Sequence, residues 1–298
     1  MLDLTPRQIR VVEVGPRDGL QNEAQFVPTQ DKIAWINHMS RTGIPYIEIT
    51  SFVHPKWIPA LADAAEVAKG IERVPGVTYA ALVPNVRGLE RALEADVDEV
   101  SVFMSASETH NQRNINKSIA DTFPILEETA RAALAAGKTV RGYVSTVFGC
   151  PDEGRVSVDN IIRVTQRLLE MGVREISLGD TIGVAHPGQV HQVLEALLKH
   201  VPSERLAMHF HDTYGMAIAN TLIALDMGIS TFDSSLGGLG GCPYAPGASG
   251  NMATEDLLYL LDGLHMTTGI HREQLLASAR LLEERTGLSL CSHGKNGR

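Results

Sequence analysis

Glu170-Met-Gly-Val-Arg-Glu-Ile-Ser-Leu178 carries the end of an amphipathic segment, a glycine and a short β-rich run in immediate succession. The same order recurs along the chain. Met39 to Gly43 precedes Ile44-Pro-Tyr-Ile-Glu-Ile-Thr50, Ala136-Gly137 precedes Lys138-Thr-Val-Arg-Gly-Tyr-Val144, and Asp226-Met-Gly228 precedes Ile229-Ser-Thr-Phe-Asp-Ser234. Such a glycine supplies the left-handed residue that ends a helix and turns the chain into a strand. Between these points apolar residues fall at helical spacing, as in Val190, Leu194, Leu197 and Leu198 behind Pro187, and in Ile218, Leu222 and Leu225.

Eight strands are expected, at about 10–14, 44–50, 78–83, 99–103, 139–147, 174–178, 206–211 and 230–235. Strands alternating with helices pair in parallel through right-handed crossovers. A closed (β/α)₈ TIM barrel is the expected fold, and an open doubly wound sheet is the alternative. No G-x-G-x-x-G follows the first strand, which weighs against the dinucleotide-binding version of that alternative. The alternation is unbroken by any linker, so residues 1–286 read as one catalytic barrel and 287–298 as a short, polar, frayed tail.

Composition narrows the function. The 298 residues are 44% hydrophobic and 20% charged, a globular balance that permits a large core. The net charge is −9 and no Lys/Arg block occurs, so no nucleic-acid partner is expected. No run approaches the roughly 18 apolar residues of a membrane span, and Met1 to Arg10 lacks the apolar stretch of a signal peptide. Cys150, Cys242 and Cys291 form no C-x-x-C pair, as expected of reduced cytoplasmic thiols.

In a barrel of this kind the site lies where strands end and βα loops begin. Arg17-Asp18, Glu48 with Ser51, Arg141, Ser177 with Asp180, His209 with His211, and the glycine-rich run Gly237 to Asn251 all fall at or near such positions. The two histidines, two apart, face the same side of a strand. They are either a hydrogen-bonded pair or half of a divalent-cation site. Asp18, after the first strand and so beside the last, favours the cation, with Asn251 offering an amide oxygen. Nitrogen and oxygen donors without thiolate suit Mg²⁺ or Mn²⁺, with Zn²⁺ or Co²⁺ able to substitute. Arg17 is either a structural partner of Asp18 or a cation aimed at a developing oxyanion. Glu48 either pairs with Arg17, orients a bound water or fills the barrel, and Asp180 is equally open. The glycine-rich run around Cys242 reads as a lid.

Val14-Gly-Pro-Arg-Asp-Gly-Leu-Gln-Asn-Glu23, Glu48-Ile-Thr-Ser-Phe-Val-His-Pro-Lys-Trp57, Ser177-Leu-Gly-Asp-Thr-Ile-Gly183, His209-Phe-His-Asp-Thr-Tyr-Gly215 and Gly238 to Asn251 together resemble the 3-hydroxy-3-methylglutaryl-CoA lyase family, over about Arg10 to Thr286. The resemblance implies a commonly dimeric (β/α)₈ barrel that uses Mg²⁺ or Mn²⁺ to split an acyl-CoA substrate into acetyl-CoA and acetoacetate. It makes Asp18, His209, His211 and Asn251 the metal ligands, Arg17 the enolate stabiliser and Cys242 a proton carrier on the lid. Glu48 and Asp180 match positions needed for full activity. Asn114 is expected near the CoA chain, and Arg17, Ser51, Arg141 and Ser177 are the other candidate substrate contacts. The absence of a transit peptide or peroxisomal tripeptide points to a bacterial cytoplasm.

Lyases for an isoprenoid homologue or citramalyl-CoA share these motifs, because acyl-pocket shape is not written in them. Related Claisen-type synthases carry an extra C-terminal region for which this chain has no length. A non-catalytic barrel is disfavoured by the presence of a candidate for every chemical role.

Overall fold

The computed structural model describes residues 2–23, 25–240 and 250–294. Its strands are β1 (Arg10–Glu13), β2 (Tyr46–Ser51), β3 (Thr78–Leu82), β4 (Glu99–Ser105), β5 (Thr139–Ser145), β6 (Glu175–Gly179), β7 (Leu206–His209) and β8 (Thr231–Ser234). They pair in parallel in chain order, and β1 closes on β8 through Arg10–Thr231 to Glu13–Ser234. The helices between and after them are α1 (Thr29–Met39), α2 (Ala64–Gly70), α3 (Val86–Glu94), α4 (Glu108–Ile115), α5 (Ile119–Ala135), α6 (Val158–Glu170), α7 (Pro187–Leu197), α8 (Ala217–Asp226), α9 (Thr254–Gly263) and α10 (Arg272–Thr286). The expected closed barrel is the observed one, with each strand found and its ends moved by at most two residues.

Gly43, Gly137, Gly172 and Gly228, the punctuating glycines of the sequence, all hold positive φ between 76° and 90°. At Gly43 space adds to conformation, since a Cβ there would stand 2.1 Å from the carbonyl oxygen of Gly269. No side chain fits that crossing between the end of α1 and the segment before α10.

Strand alternation sends two different populations to the two faces of the sheet. Ile47, Ile49, Val100, Val102, Val140, Ile176 and Leu178 join helix residues such as Trp35, Leu89, Leu168, Leu194 and Leu225 in one continuous apolar layer. Inside the barrel, Val12, Val14, Tyr46 and Ala80 form a small separate cluster. Around and above it the interior is polar: Arg141, Glu48, Glu99, Ser101, Ser177 and Asp233 are all at or below 1% exposure. Barrels are commonly filled with branched aliphatic side chains; this one is filled largely with ion pairs.

The described part of the C-terminal tail, expected to fray, is docked instead. Leu290 is buried at 4% exposure and occupies the space left by Gly237, whose added Cβ would meet it at 2.7 Å. The amide of Cys291 donates to Gly237 O at 3.1 Å, and Ser292 hydrogen-bonds Glu255. An apolar residue finding a glycine hollow outweighs the polar composition around it.

Glu13 lies between the barrel and the outer layer, at 0% exposure. Its Oε1 accepts from the amides of Gly15 (2.8 Å) and Leu236 (2.9 Å), and its Oε2 from Thr254 Oγ1 (2.6 Å). One carboxylate thereby ties the exits of β1 and β8 to the start of α9. Burial pushes its pKa up to about 7 despite those donors, and Glu255 pushes the same way. The folded protein therefore keeps a proton that the unfolded chain releases near pH 4.5, and stability falls as pH rises from that value to about 7. Glu13→Gln has no proton to lose. Its stability relative to wild type should rise by up to about 3 kcal/mol between acidic and mildly alkaline pH, read from urea melts at both. Asp180 titrates in both proteins and cancels; a difference that does not change with pH would show that Glu13 is not the titrating group.

Candidate metal centre and active site

Beyond β1 the chain does not enter an ordinary loop. The amides of Arg17, Asp18 and Gly19 all converge on Val14 O, at 3.1, 2.7 and 3.2 Å, giving a single π-type turn over Gly15–Gly19. Gly15 and Gly19 make it possible, because a Cβ would lie 2.6 Å from Glu13 Oε1 at the first and 2.8 Å from Ser235 Oγ at the second. Arg17 and Asp18 are thrown together into the mouth of the barrel.

From the other side comes β7. It ends at His209, so His211 lies outside the strand on which the sequence placed it. The alternation survives because the chain continues against the returning segment: Met252 N donates to Phe210 O at 3.0 Å and Asp212 N to Gly250 O at 3.1 Å. His211 and Asn251 form the bridge between them. Both imidazoles thus face the mouth.

Asp18, His209 and His211 are the one group of metal-ligating side chains that converge among the described residues, each offering an atom within 4.8 Å of the others. His209 Nε2 lies 3.3 Å from His211 Nε2, and Asp18 Oδ2 lies 3.6 and 3.9 Å from the two. A point equidistant from the three atoms is about 2.1 Å from each, the length of a bond from Mg²⁺ to oxygen or from a divalent ion to imidazole. The donor set therefore fits a divalent cation. Burial pushes His211 down, toward the neutral form that ligates. Burial opposes ionisation of Asp18, but Arg17 and the histidines hold its carboxyl well below the usual range. Asn251 joins the cluster with its amide nitrogen 3.0 Å from Asp18 Oδ2 and 2.9 Å from Leu239 O.

Arg17 is almost buried, at 6% exposure, between two carboxylates. Its Nη1 pairs with Asp18 Oδ1 and its Nε with Glu48 Oε2, both at 2.5 Å. Glu48, at a register shift in β2, also accepts from Tyr143 Oη at 3.2 Å, while its Oε1 is buried without a hydrogen-bond partner. Two guanidinium groups lie against the Tyr143 ring, Arg17 at 5.1 Å and Arg141 at 4.9 Å, and its edge meets His209.

The other expected residues divide by depth. Arg141, a candidate substrate contact, has 0% exposure and gives its guanidinium to Glu175 (2.8 Å) and Asp233 (2.7 Å), so it sits beneath the mouth rather than facing it. Ser177 is equally buried and donates to Asp233 Oδ2 at 2.7 Å. Ser51, at the end of β2, is buried and accepts from Val53 N at 3.3 Å. Asn114 is exposed on α4. Asp180 accepts from the amides of Val184 (3.0 Å) and Ala185 (3.1 Å), shaping the turn before α7, and burial raises its pKa to about 7. Cys242 lies outside the described residues.

Sequence reasoning missed Asp233 and Tyr143. Asp233 pairs with His209 Nδ1 at 3.2 Å; burial opposes its ionisation, but Arg141 and His209 hold its pKa down to about 2. The available signal was parity: Tyr143 stands two residues from Arg141 on β5, and Asp233 lies opposite His209 in the pairing of β7 with β8.

The HMGL-like family profile matches residues 8–282. A hydroxymethylglutaryl-CoA lyase of Bacillus subtilis is 58% identical over 287 residues, covering 96% of each chain. A crystal structure of the B. subtilis HMG-CoA lyase superposes with a TM-score of 0.96 at 58% identity and 97% coverage of both chains. An HMG-CoA lyase from Acinetobacter baumannii, solved in complex with coenzyme A and 3-methylmalate, is 41% identical, with a TM-score of 0.93 and coverage of 98% of this chain and 95% of its own.

Among the described residues Arg17 is the one cation paired with Glu48, so its removal leaves a buried charge uncompensated. Arg17→Met should cost about 3–5 kcal/mol in a urea melt, and adding Glu48→Gln should recover much of it. A loss under about 1 kcal/mol for the single variant would mean that solvent already screens the pair.

Proposed function

The chain belongs to the HMGL-like family, and from that premise we propose that it cleaves 3-hydroxy-3-methylglutaryl-CoA into acetyl-CoA and acetoacetate at the mouth of its barrel. The observation that carries the reading is the guanidinium of Arg17 paired with Asp18, itself a member of the Asp18–His209–His211 cluster. A cation seat and a fixed positive charge side by side suit a reaction that deprotonates an alcohol and leaves an enolate. The coenzyme A bound in the A. baumannii relative supports a CoA thioester as substrate.

Asp18, His209 and His211 would hold Mg²⁺ or Mn²⁺, with Asn251 as a fourth ligand once its amide turns its oxygen inward. Held there, such an ion would supply Lewis-acid polarisation of the substrate's C3 hydroxyl, lowering its pKa. Of the two candidate bases, Asp18 and His209, Asp18 takes the hydroxyl proton, since His209 would be engaged at Nε2 by the ion and at Nδ1 by Asp233. The C3–O electrons form the ketone of acetoacetate as the C2–C3 bond breaks, and that bond's electron pair passes into the enolate of acetyl-CoA. Arg17 faces the enolate oxygen, with Glu48 and Tyr143 holding its guanidinium in place. Cys242 delivers a proton to the enolate carbon. Atoms and charge balance without any redox partner. Asn114 contacts the CoA chain, and Asp180 shapes the loop beside the acyl group. A homodimer working in a bacterial cytoplasm completes the reading; among the described residues no helix is long and apolar enough to cross a membrane.

Chelator-treated protein should lack cleavage activity and regain it with Mg²⁺ or Mn²⁺, in a coupled assay for acetoacetate. The free acid should be a poor substrate, since remote CoA contacts orient the reacting carbon. Arg17→Gln, assayed well below its melting temperature, should lose on the order of 10²–10³ in kcat with little change in KM. Full activity in metal-free enzyme, or a higher kcat/KM for citramalyl-CoA, would reject the respective part of the reading.

A further inference from the structure

His209 presents its two ring nitrogens to different neighbours. Nε2 faces the cation cluster, 3.3 Å from His211 Nε2 and 3.6 Å from Asp18 Oδ2, while Nδ1 faces Asp233 Oδ2 at 3.2 Å. An ionised carboxylate only accepts. Nδ1 therefore carries the proton, and the Nε2 lone pair is left pointing at the cluster. We propose that Asp233 is the positioning residue that fixes the tautomer of His209 and, through it, the affinity of the cluster for a divalent cation. The affinity half of the inference rests on the metal-centre reading above; the tautomer half does not.

Asp233 is suited to this because nothing around it is free to move. It is 1% exposed. Its Oδ1 takes Arg141 Nη2 at 2.7 Å, and its Oδ2 takes Ser177 Oγ at 2.7 Å as well as Arg141 Nη1 at 3.3 Å. Arg141 is anchored in turn by Glu175, at 2.8 Å from its Nε. Arg141 and Ser177, which read from sequence as substrate contacts, converge on this carboxylate instead. Outer partners of metal-bound histidines commonly orient the ring in this way, and their loss costs roughly 10–100-fold in metal affinity.

The arrangement makes an isosteric substitution informative. In Asp233→Asn the amide has two orientations. The amide nitrogen meets an Arg141 N–H in either orientation, 2.7 Å from Nη2 at the Oδ1 position but 3.3 Å from Nη1 at the Oδ2 position, so the closer contact keeps the carbonyl at Oδ1. The nitrogen then falls at the Oδ2 position, where Ser177 Oγ can accept and where His209 Nδ1 must accept. The proton is displaced to Nε2, and the lone pair that faced the cluster is lost, with the side chain's shape unchanged.

The test uses nitrogen NMR of histidine-labelled, metal-free protein at alkaline pH, with the His209 signals assigned from a His209→Gln sample, and Mn²⁺ titration of the same proteins by calorimetry. Wild type should show His209 protonated at Nδ1. Asp233→Asn should show it protonated at Nε2 and bind Mn²⁺ on the order of 10–100-fold more weakly, both read well below a melting temperature that falls because Arg141 keeps only Glu175 as a carboxylate partner. A wild-type His209 protonated at Nε2 overturns the inference without any variant being needed. So does an unchanged tautomer in folded Asp233→Asn, or an inverted tautomer with Mn²⁺ affinity within a few-fold of wild type. If wild type binds no Mn²⁺ and cleaves no acyl-CoA, the metal-centre reading and the affinity half fall together, while the NMR still decides whether Asp233 sets the ring.

Discussion

The ion pair between Arg141 and Asp233, 2.7 Å long with both side chains at 0% exposure, leaves neither partner any water to turn to. Taking two charges out of water costs several kcal/mol each, and the attraction between them offsets that only when geometry and further hydrogen bonds are good. Here Glu175, Ser177 and Tyr143 supply those further contacts. Arg10 extends the stack through Glu175 toward the N-terminal ends of the strands. The result is a column of opposed charges from one end of the barrel to the other, held by β1, β5, β6 and β8. What stands at its upper end, His209 and the mouth, inherits its rigidity. A barrel filled with aliphatic side chains would be as compact but would give the histidine nothing to lean on.

The mouth itself is built by two devices that differ in kind. The π-type turn after β1 is held by backbone alone, three amides on one carbonyl, and needs glycine at both ends. The far side is held by a return segment, where Gly250 is pressed so closely on the carbonyls of Gly238 and Gly240 that a Cβ would lie 2.3 and 2.5 Å from them. Asn251 follows directly, bonded to Leu239 O and Asp18. Both devices place polar side chains by fixing the backbone first, and so order the site before any ligand arrives.

Much of this was legible in the sequence, for definite reasons. The helix–glycine–strand repeat reports local backbone geometry, which a glycine cannot hide, and the eight strands followed from it. Asp18, His209 and His211 could be read because their residue types are rare at strand ends unless they do something. What escaped depended on distant partners. Arg141 looks like a substrate arginine until Asp233 and Glu175 are placed beside it, and Asp233 looks like a strand-end aspartate until Arg141 is. Tyr143 is an ordinary β residue by propensity. The end of β7 at His209 is decided by residues 250–252, and the docking of Leu290 by the missing side chain of Gly237. None of these pairs is near in sequence, and pattern reading sees only neighbours.

Asp18 and Asn251 touch although they lie 233 positions apart in sequence. During synthesis the first member of the cluster leaves the ribosome long before the last, and for most of that interval Asp18 has no histidine to meet. No partial product ending before β7 presents the cluster at all. An ion held by this cluster would therefore be unable to guide the folding of the earlier strands, as it does in a small zinc domain. Any cation the cluster takes would have to wait until β7 and the residues just after it are in place, late in the making of the chain.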